Sequence, residues 1–176
     1  MDVSQAAEGM TEPIETERLT LRMLGERDAD WITEHITNPR VQRWLSGPPH
    51  PFTLDDARAW LETSAADHRY RAVICEAEPL GVISLVHGNL GYWLKEAAWG
   101  RGVMTEAATA FVAWHFARGG GALTSGWHLG NDRSGGVLLK LGFEKTEFRR
   151  EYAPVLGHDV DVQKVALAAP LQAHAL

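Results

Sequence analysis

Gly100 and Gly102 flank Arg101 immediately ahead of the apolar run "VMTEAATAFVAWHFA" (103–117). Glycine relaxes backbone sterics where a chain must turn sharply. A helix start presents unpaired N–H groups at the positive end of its dipole. The amides of residues 101 to 105, with the Arg101 guanidinium beside them, therefore describe an anion site, and a phosphate suits it best. A nucleoside triphosphate loop would need G-x-x-x-x-G-K-[ST], and the chain holds no Gly-Lys pair. A dinucleotide fingerprint would need a third glycine where Thr105 stands, and the strands ahead read as a meander. That weighs against a nicotinamide or flavin enzyme. A plain tight turn before a core helix explains the same residues without a ligand.

Other chemistries are less well supplied. The eight histidines show neither His-x-x-x-His nor paired-cysteine spacing, so no metal is expected. Cys75 is the only cysteine, which excludes an intrachain disulfide; within "RAVICEA" it reads as a small core residue. A net charge of −6 argues against nucleic acid, which asks for a basic stripe, and suits a cationic partner such as an amine. At 176 residues, 45% hydrophobic and 23% charged, the composition is that of one globular domain with its own core. No apolar run reaches the ~18 to 20 residues that span a bilayer, so no membrane association is expected. The acidic start "MDVSQAAEGMTEPIETE" resembles no export signal, and a cytoplasmic setting is the expectation.

The elements that must position the glycine turn follow from periodicity. "RLTLRML" (18–24) alternates as a half-buried strand does. Trp31, Ile32, His35 and Ile36 fall at helical spacing, with Asn38-Pro39 as a stop. After the loop "SGPPHPF", Thr53 caps a helix through residues 54–68, with Asp55 and Asp56 in its first turn. Residues 71–77, 80–88 and 90–96 read as strands joined by short turns, hence antiparallel neighbours. A helix from about Met104 to Arg118 stops at Gly119, Gly120 and Gly121. "ALTSGWHLG" is a strand, "NDRSGGVLLKLG" a short helix opened by Asn131 or Asp132, and "FEKTEFRREY" with "DVDVQKVAL" a closing strand pair. The order β-α-α-β-β-β-α-β-α-β-β predicts one mixed α/β domain, with parallel pairing only around the two late helices. It spans 15–167, between a flexible start (1–14) and a loose tail (168–176).

The pair "LGYWLKEAAWGRGVMTEA" (90–107) and "NDRSGGVLLKLGFEK" (131–145) resembles the GNAT (GCN5-related N-acetyltransferase) superfamily. The nearer likeness is to its RimJ/RimL-like branch, which acetylates ribosomal-protein N-termini. "ETERLTLRMLGERDAD" resembles that branch's entry strand and first helix, so the likeness runs from about residue 15 to 167. The superfamily turn Q/R-x-x-G-x-G/A falls on Trp99 to Met104. Gly102 matches the first glycine, whereas Trp99 replaces Gln or Arg and Met104 replaces the last Gly or Ala. The branch carries an aromatic-Gly-basic-Gly version followed by Thr-Glu-Ala, as Thr105, Glu106 and Ala107 supply.

What the resemblance implies is specific. The anion is the diphosphate of acetyl-CoA, held at Arg101, Gly102, Val103, Met104 and Thr105. The fold is a mostly antiparallel sheet with splayed central strands and about four helices. The strand before the turn, with Trp93, Leu94 and Lys95, would hold the pantetheine and thioester, and Gly126 would mark where the next strand departs. Asn131 would contact pantetheine while capping its helix. Arg133 and Lys140 either meet the adenosine phosphate or, more plainly, are ordinary solvated side chains. Relatives often place an acidic tyrosine where this chain has Leu138; the branch places a serine three residues after the asparagine, here Ser134, to face the sulfur. Trp31, Trp44 and Trp60 fall in the region that walls the acceptor pocket, with "GPPHPF" at its rim, although core packing is the commoner use of tryptophan.

An attacking amine must be neutral, so a carboxylate or imidazole should accept its proton. His128, Glu96 and His87 are the candidates. Each has a plainer role: a part-buried strand histidine, a solvated turn carboxylate and a loop histidine. The function expected is acetyl transfer from acetyl-CoA to a primary amine, a peptide N-terminus or a small amine, by direct attack in a ternary complex. A catalytically silent acyl-CoA-binding module is the alternative. A homodimer, common among relatives, is the further expectation.

Overall fold

Alternating apolar residues set the strands, and the computed structural model, which describes residues 10–64 and 67–170, gathers them into one eight-stranded sheet. The strands are β1 (Ile14–Glu15), β2 (Thr20–Met23), β3 (Tyr70–Cys75), β4 (Glu78–Val86), β5 (Asn89–Leu94), β6 (Leu123–His128), β7 (Glu144–Ala153) and β8 (His158–Leu167). Their spatial order is β1-β2-β3-β4-β5-β6-β8-β7, antiparallel except for β5 beside β6. The helices are α1 (Ala29–Ile36), α2 (Pro39–Gln42), α3 (Leu54–Ser64), α4 (Val103–Ala117) and α5 (Asp132–Lys140). The mixed α/β class expected from sequence is therefore present, with β1 and α2 as additions.

Successive strand residues point to opposite faces, and each face buries a different helix pair. Leu21, Val73 and Ile83 pack beneath Ala107 and Phe111 of α4 and Leu138 of α5. Ala72 and Val82 pack beneath Ile32 and Ile36 of α1 and Ala57 and Leu61 of α3. We call these the α4 face and the α1 face. Cys75 is a free, half-buried thiol against the first cluster rather than a fully buried core residue.

Local signals explain most boundaries. Asn38-Pro39 ends α1 but also opens α2: the Asn38 side chain accepts from Arg40 N–H, and Pro39 takes the first helical position, where no donor is lost. Thr53 and Asp56 form a reciprocal cap ahead of α3, with Asp56 Oδ2 accepting from Thr53 N–H at 2.8 Å. The start expected to be flexible includes Met10 and Thr11, whose carbonyls accept from buried Arg71. Residues 1–9 and 171–176, the ends of the expected loose segments, lie outside the described residues. Among the described residues no helix is long and apolar enough to cross a membrane.

The sheet is open at its middle. β5 and β6 share one register pair, Asn89 with Thr124, backed by Thr124 N–H to Gly88 O at 2.8 Å and Ser125 Oγ to Leu90 O at 2.7 Å. Beyond that point β6 runs with β8 and β5 with β4. Gly126 is the first residue past the last of these contacts, where its departure was expected.

Candidate active site

The glycine turn reaches α4 through two left-handed residues, Gly100 at φ 73° and Gly102 at φ 74°. That conformation is costly for residues bearing a Cβ. Helical bonding begins with Glu106 N–H to Gly102 O at 3.0 Å, so the N–H groups of Val103, Met104 and Thr105 have no partner within the helix. All three residues, with Gly102, line one continuous groove of about 1030 Å³.

A clamp behind the turn holds it in place. The Glu106 carboxylate accepts from Thr16 Oγ1 at 2.6 Å, Arg18 N–H at 3.0 Å and Arg18 Nε at 2.8 Å. Burial alone would raise its pKa, but these donors outweigh burial and lower it. The carboxylate therefore stays ionised and satisfied on the side of the β1–β2 turn. Arg18 also donates to Arg101 O at 3.3 Å. The Arg101 side chain, expected at the phosphates, is exposed and not in the groove wall.

α5 forms the opposite bank. Asn131 caps it, its Oδ1 accepting from Ser134 N–H at 3.4 Å. Arg133, Val137 and Lys140 repeat at helical spacing along the groove, and the Arg133 guanidinium lies 4.9 Å from the Trp99 ring centroid. Two cations, Arg133 and Lys140, thus line the same groove as the three free amide groups.

The strand gap carries the groove through the sheet. Lys95 N–H donates to Leu80 O at 2.8 Å, and Trp93 pairs with Val82, so the backbone groups of 93 and 95 are turned toward β4. Alternation turns those of Tyr92 and Leu94 into the gap, where β6 has left them without a ladder. Leu94 O is taken by the Trp99 indole N–H at 2.9 Å. Of the expected trio, only Leu94 offers its main chain here. Trp93 contributes its ring to the α1 face, and Lys95 spends its ammonium on Glu78.

The proposed acid and base residues separate clearly. On the α4 face, Ser134 meets Tyr92: the phenol donates to Ser134 O at 2.9 Å, and Tyr92 Oη stands 3.1 Å from Ser134 Oγ. Burial pushes the Tyr92 pKa up to about 12, against the opposing hydrogen bond from Ser134. On the α1 face, His128 is buried at the end of β6, its Nε2 2.8 Å from Ser46 Oγ; Nδ1 makes no hydrogen bond. Burial depresses the His128 pKa, with Lys164 lowering it and Glu151 raising it. The imidazole is therefore neutral near pH 7. Glu151 and Lys164 pair at 2.6 Å in the same wall.

Two expected residues stand elsewhere. Glu96 is bound to Arg40 at 2.6 Å and to Asn38 Nδ2 at 3.3 Å, outside the groove wall. His87 is exposed in the β4–β5 turn. Of the tryptophans expected at the acceptor pocket, Trp44 and Trp60 line the groove, whereas Trp31 packs on Trp93 and donates to Asp28 Oδ1 at 2.7 Å. Tyr92, Ser46 and Glu151 are among the groove residues not expected from the sequence. Tyr92 had a legible signal, since strand alternation sets it on the face opposite Trp93. Among the described residues no cluster of His, Cys, Asp or Glu is placed to hold a metal ion.

Comparison with known proteins agrees with this fold. The family model "Acetyltransferase (GNAT) domain" matches residues 18–144. The chain is 25% identical over 172 residues to the uncharacterized N-acetyltransferase YoaA of Bacillus subtilis (strain 168), covering 89% of this chain and 97% of that one. Among solved structures, RimL, a ribosomal L7/L12 alpha-N-protein acetyltransferase in complex with coenzyme A, superposes with a TM-score of 0.79 at 21% identity, covering 89% and 98% of the two chains. The microcin C7 self-immunity acetyltransferase MccE, in complex with acetyl-CoA and AMP, gives 0.74 at 17% identity over 87% and 93%. With a family model covering most of its length, and a sheet that opens beside a helix start carrying free amides, this chain belongs to the GNAT N-acetyltransferase family.

Proposed function

We propose that the protein transfers the acetyl group of acetyl-CoA to a primary amine by direct attack within a ternary complex. The observation that carries this reading is the groove itself, which runs from the α4 N-terminus through the β5–β6 gap to the α1 face. A diphosphate would meet the N–H groups of Val103, Met104 and Thr105, with Arg133 and Lys140 supplying charge. The pantetheine arm would lie in the gap against Leu94 and Asn131. The amine would arrive from the opposite face. Neighbours of similar fold that act on ribosomal-protein N-termini favour a peptide amine as acceptor.

The chemistry then divides between the two faces. The amine nitrogen bonds to the thioester carbon and the carbon–sulfur bond breaks. The proton lost by nitrogen passes to neutral His128, directly or through a water held with Ser46. The developing thiolate is met by the Ser134 hydroxyl, which Tyr92 holds in place. Glu96, tied to Arg40, takes no part. No covalent enzyme intermediate is required.

The test is purified protein with acetyl-CoA and a panel of N-terminal peptides and small amines, with free thiol followed continuously. Amine-dependent thiol release supports transfer. CoA binding without it would leave a silent acyl-CoA-binding module, and no CoA binding would remove the groove assignment.

A further inference from the structure

On the α1 face, one row of residues crosses the sheet as Tyr70, Ser84 and Gly91. Extending the Asn89–Thr124 register by two residues brings Gly126 level with Gly91 across the gap. Three successive positions therefore carry one hydroxymethyl group and two hydrogens, where a helix-covered sheet face ordinarily carries large apolar side chains. The floor is recessed at Ser84 and Gly91, where Ser84 Oγ is the one group near the place a Gly91 side chain would take. Over Gly126 the Lys164 stem and Val162 close in from β8 and end the hollow, and all three residues line the groove.

The walls of this hollow are aromatic. Tyr70 stands at its end, and Trp60 of α3 meets it edge-on at 5.5 Å. Trp93 rises from the neighbouring row, where Ala72 and Val82 are its partners. Trp60, Tyr70 and Trp93 are each half-buried: the core packs against them, and they also line the groove. The acidic side chain at this rim, Asp56, is occupied by the Thr53 N–H and hydroxyl. His128 and Ser46 sit in the same groove on the far side of the gap.

We infer that this hollow is a side-chain slot of the acceptor site, and that it selects an amine carrying a bulky apolar group, best an aromatic one. The inference rests on the acetyl-transfer reading above. A ring entering between Trp60, Tyr70 and Trp93 covers apolar surface that a glycine, alanine or serine N-terminus would leave wet. Its amine then points toward the gap and His128. Differences of one or two methylenes in an apolar pocket discriminate only weakly, whereas a whole ring against a methyl group discriminates strongly.

The experiment is a series of peptides identical except for an N-terminal Ala, Ser, Leu, Phe or Trp, assayed by thiol release with the unmodified protein. Phe and Trp should exceed Ala in kcat/KM by about tenfold or more. Ser84→Leu, which fills the floor, should bring the Phe-to-Ala ratio down toward one; Trp60→Leu is the second variant and should lower it too. CoA binding by each variant, read by calorimetry, reports an intact fold. Ala or Ser matching Phe in the unmodified protein overturns the slot while leaving acetyl transfer standing. So does a ratio unmoved in a variant that still binds CoA. Thiol release with none of the peptides or small amines overturns both readings.

Discussion

Tyr92 of β5 and Ser134 of α5 are joined twice, by the phenol donating to Ser134 O and by the 3.1 Å approach of Tyr92 Oη to Ser134 Oγ. The pair ties the strand that borders the gap to the helix that forms the groove's far bank. With its pKa at about 12, the phenol remains a neutral donor at any ordinary assay pH. Leu138 of the same helix is fully buried, so the phenol that reaches α5 here comes from the sheet.

Ser134→Ala should lower kcat by about tenfold to a hundredfold if its hydroxyl meets the leaving sulfur. Tyr92→Phe should lower kcat less, with the acetyl-CoA KM little changed, because it frees the serine without removing it. The double variant should be no slower than Ser134→Ala alone, since Tyr92 acts through the serine. Additive losses in that cycle would dissociate the two residues.

Gly102→Val should raise the acetyl-CoA KM about tenfold, because a left-handed conformation costs an L-residue roughly 1–2 kcal/mol and tenfold corresponds to about 1.4 kcal/mol. Gly119, at φ 77° beyond the other end of α4, serves as control. Gly119→Val introduces comparable strain in open space and should leave KM where it was. Equal effects of the two would mean that general strain, not the turn's amides, sets KM.

His128→Asn should reduce kcat/KM by about 10²-fold or more if the imidazole accepts the amine's proton. Burial holds its pKa below the ordinary 6.5, so the neutral base predominates above that value. The acid limb of the unmodified protein's kcat/KM profile should therefore lie below pH 6.5, and it should vanish in the variant. A limb that survives the substitution belongs to another group.

Asp28 tests stability rather than turnover. It is almost wholly buried and accepts from Arg22 at 2.6 and 2.8 Å, Trp31 Nε1 at 2.7 Å and Gly25 N–H at 2.8 Å. Burial raises its pKa, but the donors win and hold it below the ordinary 3.8. Stability from the charged form is thus complete above the unfolded value and lost as pH falls through the lower folded one. Asp28→Asn should cost about 2–4 kcal/mol at neutral pH, less than for a fully enclosed pair because Arg22 is partly exposed. Denaturant titrations should show that difference shrinking only below about pH 4.

Much of the architecture was written in local pattern. Strand alternation, the Asn38-Pro39 stop, the Thr53 cap and the glycines about α4 each act within a few residues, so their consequences can be read without a fold. The glycine turn was legible for the same reason, because left-handed backbone and free helix-start amides are properties of a short segment. Asn131 was legible as the cap of one helix, whereas Ser134 rests on the family resemblance and not on its local pattern.

Tertiary structure decided what depends on distant partners. Glu96 and His128 are equally eligible acid–base residues in sequence. Arg40 claims the first, whereas the end of β6 buries the second beside Ser46. Which main-chain groups of β5 face the gap depends on Lys95 bonding to Leu80, a matter of register between strands. The hollow at Ser84 and Gly91, ended over Gly126, exists only because three strands align. Local chemistry chose the elements; long-range pairing, whose register no short segment carries, chose which side chains share a groove.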